Sequence, residues 1–366
     1  TKYTPAAGTP ELRAAVARKF ERENGLSYEP QQIIVSSGGK HSCYNVMMAL
    51  CQVGDEVIIP APYWLSYPEM VKLAGATPKI IATTDATEFK VTPDQLRSAI
   101  NDKTRLFILN SPSNPTGSVY TPEEIKALGD VCVEKGVLIM SDEIYEKLIY
   151  GDAQFQSVAA CSPEHQAHTI IVHGLAKAYS MTGWRIGFMA APLPIAKAIG
   201  AIQSHSTSNP TSFAQSGAVE ALDGPQGHLD EWLGHFSQRR TFACDKLNAI
   251  EGVSCVNSEG AFYLFPNISE VCSNLGLMEF HEGLPEAEKK ETSPAGFFQM
   301  FALYEHQVAV LDRRSFGSLG SEGKHYLRLS TASEIGVLRE GVRRLEEASK
   351  NQAGLQSFLQ NRPDLQ

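Results

Sequence analysis

The chain has 366 residues, 43% of them hydrophobic and 20% charged, with 32 Lys and Arg against 41 Asp and Glu for a net charge of −9. That acidic balance argues against nucleic acid or an anionic membrane as the main partner, since both need a basic face, but a small anionic ligand can still be held by a few local cations. Seven cysteines, an odd number with no Cys-x-x-Cys pair and no metal-ligand spacing, exclude a disulfide framework and a metal site and suggest a reducing, cytoplasmic setting. In chain order, short β-branched runs then alternate with helical patterns from residue 32 to about 190. The runs are residues 32–35, 56–60, 79–83, 105–110, 136–143, 169–174 and 186–192. Such runs fit strands of a parallel sheet buried on both faces. Helices begin between them at Thr92 and Thr121, where Pro122 takes the first helical position and Glu124 closes a capping box. Residues 186–202, the most apolar region, are interrupted by Pro192, Pro194 and Lys197, so no membrane span is expected.

After residue 228 the pattern changes to a long amphipathic helix, "GAFYLFPN", an acidic stretch and "HYLRLSTA". The reading is an α/β fold with a large domain over residues 1–228, a smaller α+β domain over 229–350, and a tail of short helix or disorder over 351–366. Residues 274–294 read as an exposed polar insertion. The chain opens with Thr1 rather than Met and shows no signal peptide.

In an open α/β sheet, ligands sit beyond the carboxyl ends of the strands, so polar residues just past each run are the candidates. The first run ends in "SSGGKHS", where Gly38 and Gly39 free backbone N–H groups for an anion at a helix start, with Lys40 following. "SPSNPTG" fixes a turn that presents Asn114. "SDEIY" puts Asp142 at the sheet edge, three residues before Tyr145. "GLAKAYSMTGWRIGF" carries Lys177 eight residues before Arg185. A lysine near positive charge loses its proton readily and can form a Schiff base, and an arginine beside it can grip a phosphate. One ligand with an aldehyde, a phosphate and a ring nitrogen facing Asp142 satisfies the whole set. Pyridoxal 5'-phosphate (PLP) has all three.

The motifs "KYTPAAGTPELR", "VSSGGKHS", "GDEVIIPAPYWLSYPEM", "NSPSNPTG", "SDEIYE", "AKAYSMTGWRIG", "GAFY" and "LRLSTA" run in one order over nearly the whole chain. In them the sequence resembles class I PLP-dependent aminotransferases of fold type I, nearest to the bacterial branch of aspartate aminotransferase. The resemblance implies a mostly parallel seven-stranded large domain with a smaller α+β C-terminal domain. It implies that Lys177 carries the cofactor as a Schiff base and that Arg185 binds its phosphate. Trp64 would stack on the ring, Asn114 and Tyr145 would bond its phenolic oxygen, and Asp142 would face its nitrogen. Tyr3 would reach the phosphate in the neighbouring subunit of a homodimer. Arg328 would clamp the substrate α-carboxylate, and Lys40 the distal carboxylate of aspartate or glutamate. Phe262 and Tyr263 would wall the pocket. The implied reaction is transamination between L-aspartate and 2-oxoglutarate. The alternatives are an aromatic, alanine or prephenate/arogenate aminotransferase, and more remotely a PLP lyase or a non-catalytic sensor.

Three departures accompany the resemblance. The family's N-terminal arm and its glycine-containing substrate-covering motif precede the Tyr3 motif and are not in this sequence. "VLDRRSFG" adds Arg313 and Arg314 near the active-site side of the small domain, either to alter preference among acidic substrates or to cover the insertion. Gly174 stands where some branches place a phosphate-binding hydroxyl.

Overall fold

A computed structural model of the chain describes residues 2–317, 319–321 and 323–361. Each of the seven β-branched runs contributes a strand: β1 (Ile33–Ser36), β2 (Glu56–Ala61), β3 (Thr77–Ala82), β4 (Thr104–Asn110), β5 (Leu138–Asp142), β6 (Thr169–Gly174) and β7 (Gly187–Ala190). They form one sheet in the order β1-β7-β6-β5-β4-β2-β3. The β-branched and aliphatic residues of these strands meet helices on both faces, and every residue of β6 and β7 is buried. The Thr92 and Thr121 capping boxes both close, each threonine hydroxyl accepting from the backbone N–H three residues on.

The sheet is parallel except at β7, which runs antiparallel to both β6 and β1. Its cause is local. Residues 175–186 join β6 to β7 with no crossover helix, so the chain folds back beside β6 instead of passing over the sheet. As a result the start of β7 shares an edge with the carboxyl ends of the other strands.

The C-terminal part builds a second sheet of β8 (Tyr263–Leu264), β9 (Leu311–Asp312) and β10 (Leu327–Ser330), antiparallel in the order β8-β10-β9. The helix Gly227–Asn248 and the helices Pro294–His306 and Ile335–Lys350 enclose a core with Phe297, Phe298, Phe301 and Leu345. The stretch expected to be an exposed insertion is not wholly so. It folds into helices Leu277–Glu282 and Glu286–Glu291. Leu277 is fully buried, and Met278, Phe280 and Leu284 pack on the same core. Surrounding glutamates and lysines hid that apolar face from a compositional reading. The stretch expected as a tail forms helix Gln352–Asn361, whose Leu355 and Phe358 enter this core, while residues 362–366 lie outside the described residues. Among the described residues no helix is long and apolar enough to cross a membrane.

A buried ionic cluster lies beneath the carboxyl edge of the large sheet. Lys19 pairs with Glu146, whose Oε1 lies 3.1 Å from His173 Nε2. Burial opposes the Glu146 charge, but Lys19 and His173 outweigh it and hold the carboxyl well below the usual range. Glu143 differs: burial and the nearby Glu146 charge push it up to about 8, although the Ser157 and Ser141 hydroxyls donate to its Oε1. A carboxyl raised in the folded state stabilises fully below its unfolded value. That contribution is lost as pH rises through the folded one. The unfolding temperature is therefore expected to fall between about pH 5 and pH 8, and Glu143→Gln should flatten this slope by roughly 5 °C, checked by thermal melts across pH.

Candidate active site

The carboxyl ends of β1, β4, β5 and β6 and the start of β7 surround a cavity of about 400 Å³. Nine of the ten residues singled out from sequence line it: Gly39, Lys40, Trp64, Asn114, Asp142, Tyr145, Lys177, Arg185 and Arg328. The tenth, Tyr3, does not. It lies outside, 92% exposed. Of the two expected wall residues, Tyr263 lines the cavity and Phe262 stands behind it, its ring 5.4 Å from Lys177 Nζ.

Asp142 ends β5 and is buried. Tyr67 Oη donates to its Oδ2 at 2.6 Å and the Ile144 N–H to its Oδ1 at 3.3 Å. Burial still raises its carboxyl above the ordinary range despite these donors, His173 and Lys177. Such a site favours a cationic partner. Lys177 is half-buried, and loss of solvent lowers its basicity more than Asp142 restores it, with Arg328, Arg185 and Lys40 lowering it further. A larger share of this amine is neutral, as a nucleophile or base requires.

Arg185 stands just before β7 in a left-handed backbone conformation (φ 55°), its guanidinium donating to the carbonyls of Thr182 and Ser37 at 3.0 and 3.2 Å. This directs it to the Gly38–Gly39 turn. Gly38 has φ 95°, and a side chain there would run into Arg185. Gly187 faces the same turn so closely that a Cβ would strike its backbone. The glycines leave room for an anion against the N-terminus of helix Gly39–Leu50.

Arg328, on β10, donates through Nη1 to Asn114 Oδ1 at 2.9 Å, and its guanidinium lies between the rings of Tyr263 and Phe316, 4.6 and 4.7 Å from their centroids. Its Nε is buried without a partner. That orphan suits a carboxylate arriving on the same planar donor. Lys40 Nζ lies 4.9 Å over the Trp64 ring, and the hydroxyls of Tyr145 and Tyr263 are 2.8 Å apart.

Sequence reasoning gave no role to Tyr67, Asn110 or Phe316. Tyr67 lies three residues past Trp64 and is fully buried, so its hydroxyl needs a partner, which Asp142 supplies. Asn110 accepts from the Asn114 N–H and donates to the Asp142 carbonyl, which sets the spacing of those two turns. Arg313 and Arg314, expected near the active-site side, do not line the cavity. Arg313 is buried against the Phe89 and Tyr326 rings, and Arg314 donates to the Lys290 carbonyl and pairs with Glu291. Of the two expected roles, Arg314 takes that of covering the 274–294 segment.

A lysine amine of lowered basicity, a buried carboxylate and an arginine beside a glycine turn are the recognition elements of a phosphorylated pyridine aldehyde, converging from strands of a fold-type-I α/β sheet. The chain belongs to the aminotransferase class I and II family, whose model matches residues 1–345. It is 46% identical over 345 residues to an aspartate aminotransferase of Geobacillus stearothermophilus, covering 94% of this chain and 83% of that protein. It is also 46% identical over 347 residues to an aspartate/prephenate aminotransferase of Cereibacter sphaeroides, again 94% of this chain and 83% of the relative. Among solved structures, an aspartate aminotransferase from Rhizobium meliloti superposes with a TM-score of 0.85 at 37% identity, over 96% of this chain and 84% of that one. The protein is thus an aminotransferase, and its cofactor is PLP. The cavity fits that group: an amine for the aldehyde, a carboxylate in need of a cation for the ring nitrogen, and a guanidinium for the phosphate.

Proposed function

We propose that the protein transfers the amino group of L-aspartate to 2-oxoglutarate, giving oxaloacetate and L-glutamate. The observation that carries this is the presence of two cations, Arg328 and Lys40, in one cavity with Lys177 and Asp142. Arg328 offers a planar two-point grip for the α-carboxylate, and Lys40 a point charge for the distal one. Bound PLP supplies the electron sink that makes the α-proton acidic. Asp142 holds the ring nitrogen's proton, and Tyr145 and Asn114 orient the phenolic oxygen. Arg185 and the Gly38–Gly39 turn hold the phosphate, and Trp64 covers the ring. Lys177 Nζ takes the substrate α-proton as base and returns a proton as acid. Fixing both carboxylates sets the breaking C–H bond at the angle the chemistry needs.

The test is an absorbance titration of the PLP-loaded protein. L-aspartate should convert the visible band of the lysine-bound cofactor into the near-ultraviolet band of its amine form, with phenylalanine and alanine far weaker. Lys40→Gln should cost about tenfold or more in kcat/KM for aspartate and leave alanine nearly unchanged, because a charge-assisted contact contributes about 1.5–3 kcal/mol. A response confined to phenylalanine or alanine would sink the substrate assignment. The Cereibacter sphaeroides relative, named for aspartate and prephenate, favours a second reading in which prephenate is also accepted. Amino transfer to prephenate from aspartate would establish it.

We also infer a cytoplasmic homodimer with shared sites, with residues 1–228 as the PLP-binding domain and 229–350 as the small domain. Seven free thiols suit a reducing compartment. Tyr3, Trp184 and Phe213 are exposed at 92%, 46% and 71%, and a partner subunit would cover them in the proposed dimer. Tyr3→Phe is expected to weaken PLP binding about tenfold without unfolding the subunit, as loss of one charge-assisted hydrogen bond would. Fluorescence titration with PLP, alongside sedimentation, checks this.

A further inference from the structure

His173 does not line the cavity, yet it contacts three of the elements that carry the site. In the register of β5 and β6, Asp142 lies opposite Val172, so the next residue, His173, points to the other face of the sheet. There it is 1% exposed. Its Nδ1 accepts from the Gly174 N–H at 2.7 Å, at the end of β6 and three residues before Lys177. Its Nε2 lies 3.1 Å from Oε1 of Glu146, the residue after Tyr145. Its ring stacks on Phe188 of β7, three residues after Arg185, with centroids 5.2 Å apart and planes 12° from parallel. These neighbours are themselves held. Asn24 donates to Glu146 Oε2 at 3.0 Å, and Lys19 pairs with the same carboxylate. Gly174 has little room to shift, since a Cβ there would come within 3.0 Å of Gly187 Cα and of the Ile186 carbonyl. An N–H can donate to Nδ1 only if that nitrogen carries no proton, so the neutral ring has its proton on Nε2, facing Glu146. Burial favours the same neutral form, lowering the ring's basicity more than Glu146 raises it.

We propose that His173 is a positioning residue for amino transfer, fixing Lys177, Tyr145 and Arg185 relative to one another through Gly174, Glu146 and Phe188. It touches neither substrate nor cofactor, and its role stands on those given above to Lys177, Tyr145 and Arg185. Proton transfer at Lys177 Nζ depends on placement, and a shift of about 1 Å costs on the order of a hundredfold. The Lys177 loop leaves β6 at Gly174, and the Nδ1 acceptor sets the direction of that departure. A phenyl ring could fill the same volume against Phe188 but would leave the Gly174 N–H without an acceptor.

The experiment compares His173→Phe and His173→Asn with the parent protein, each shown folded by thermal melts. Phenylalanine keeps a ring on Phe188 and removes both nitrogens. Asparagine places an amide oxygen where Nδ1 stood and keeps the acceptor for Gly174. The first readout needs no turnover: PLP is mixed with cofactor-free protein and the rise of the visible lysine-bound band is followed. His173→Phe is expected to be about tenfold slower, and His173→Asn within about threefold of the parent. The second readout is steady-state kinetics with whichever amino acid converts the parent's band, so the outcome does not depend on the aspartate assignment. There His173→Phe should lose about tenfold to a hundredfold in kcat and keep KM within about twofold, because Arg328 and Lys40 are untouched. If His173→Phe does not fold, His173→Gln replaces it. Its amide reaches toward Glu146 but leaves Gly174 without an acceptor, and the same losses are expected. Parent-like rates in the folded phenylalanine or glutamine variant would make His173 a core residue only and overturn the proposal. So would an asparagine variant as slow as the phenylalanine one, or a loss confined to KM. A visible band that survives Lys177→Ala would overturn it through Lys177 itself, a result distinct from these.

Discussion

Lys177→Ala is expected to abolish the visible band of the lysine-bound cofactor and to lower kcat by roughly ten-thousandfold or more, because the change removes the Schiff-base nucleophile and the proton carrier together. The amine's position explains the size. Lys177 lies three residues past β6, half-buried, with Tyr145 and Phe262 rings 5.7 and 5.4 Å from Nζ and three cationic side chains lowering its basicity. Among the described residues Lys40, which lies over the Trp64 ring, is the one other lysine that lines the cavity. PLP should still bind through Arg185 and the Gly38–Gly39 turn, and added methylamine should restore part of the rate. An unchanged spectrum in the alanine variant would overturn the assignment of Lys177.

Asp142→Asn should cost roughly a hundredfold to a thousandfold in kcat, the range for removing one preorganised electrostatic partner from a dry site. Tyr67→Phe should cost less, about tenfold, because it removes one donor to Asp142 Oδ2 and leaves the carboxylate in place. Stability separates this effect from unfolding. Burial raises the Asp142 carboxyl in the cofactor-free fold. Its favourable contribution is therefore present below its unfolded value and is lost as pH rises through the folded one. At neutral pH the cofactor-free Asp142→Asn protein should be at least as stable as the parent while its activity collapses. Denaturant melts beside steady-state kinetics would decide this, and a joint loss of both would assign Asp142 to the fold alone.

The sheet and most of the site were legible because both rest on local signals. β-branched runs of four to eight residues marked every strand of the large sheet, and the threonine caps marked helix starts through contacts three residues apart. Chemistry-bearing residues just past those runs named seven of the cavity's residues, since the carboxyl ends of parallel strands share one edge, while Trp64 and Arg328 came from the family resemblance. Tyr67 and Phe316 escaped because a buried aromatic reads the same whether it fills a core or serves a polar neighbour. Only the partner distinguishes them, Asp142 in one case and Arg328 in the other. Which of their two expected roles Arg313 and Arg314 take was not legible for the related reason that charge alone does not say which way a side chain points.

By itself, then, the sequence determined the alternation of elements, the family and the set of groups that could hold PLP, because period, caps and strand-end motifs are properties of short stretches. Tertiary structure alone decided the reversal of β7 that brings Arg185 to the Gly38–Gly39 turn, the burial that raises Asp142, and the aromatic sandwich around Arg328. It also decided that the 274–294 and 352–361 stretches close the C-terminal core. These depend on which surfaces meet between segments well apart in the chain, and on how much water that meeting removes, which no local pattern encodes.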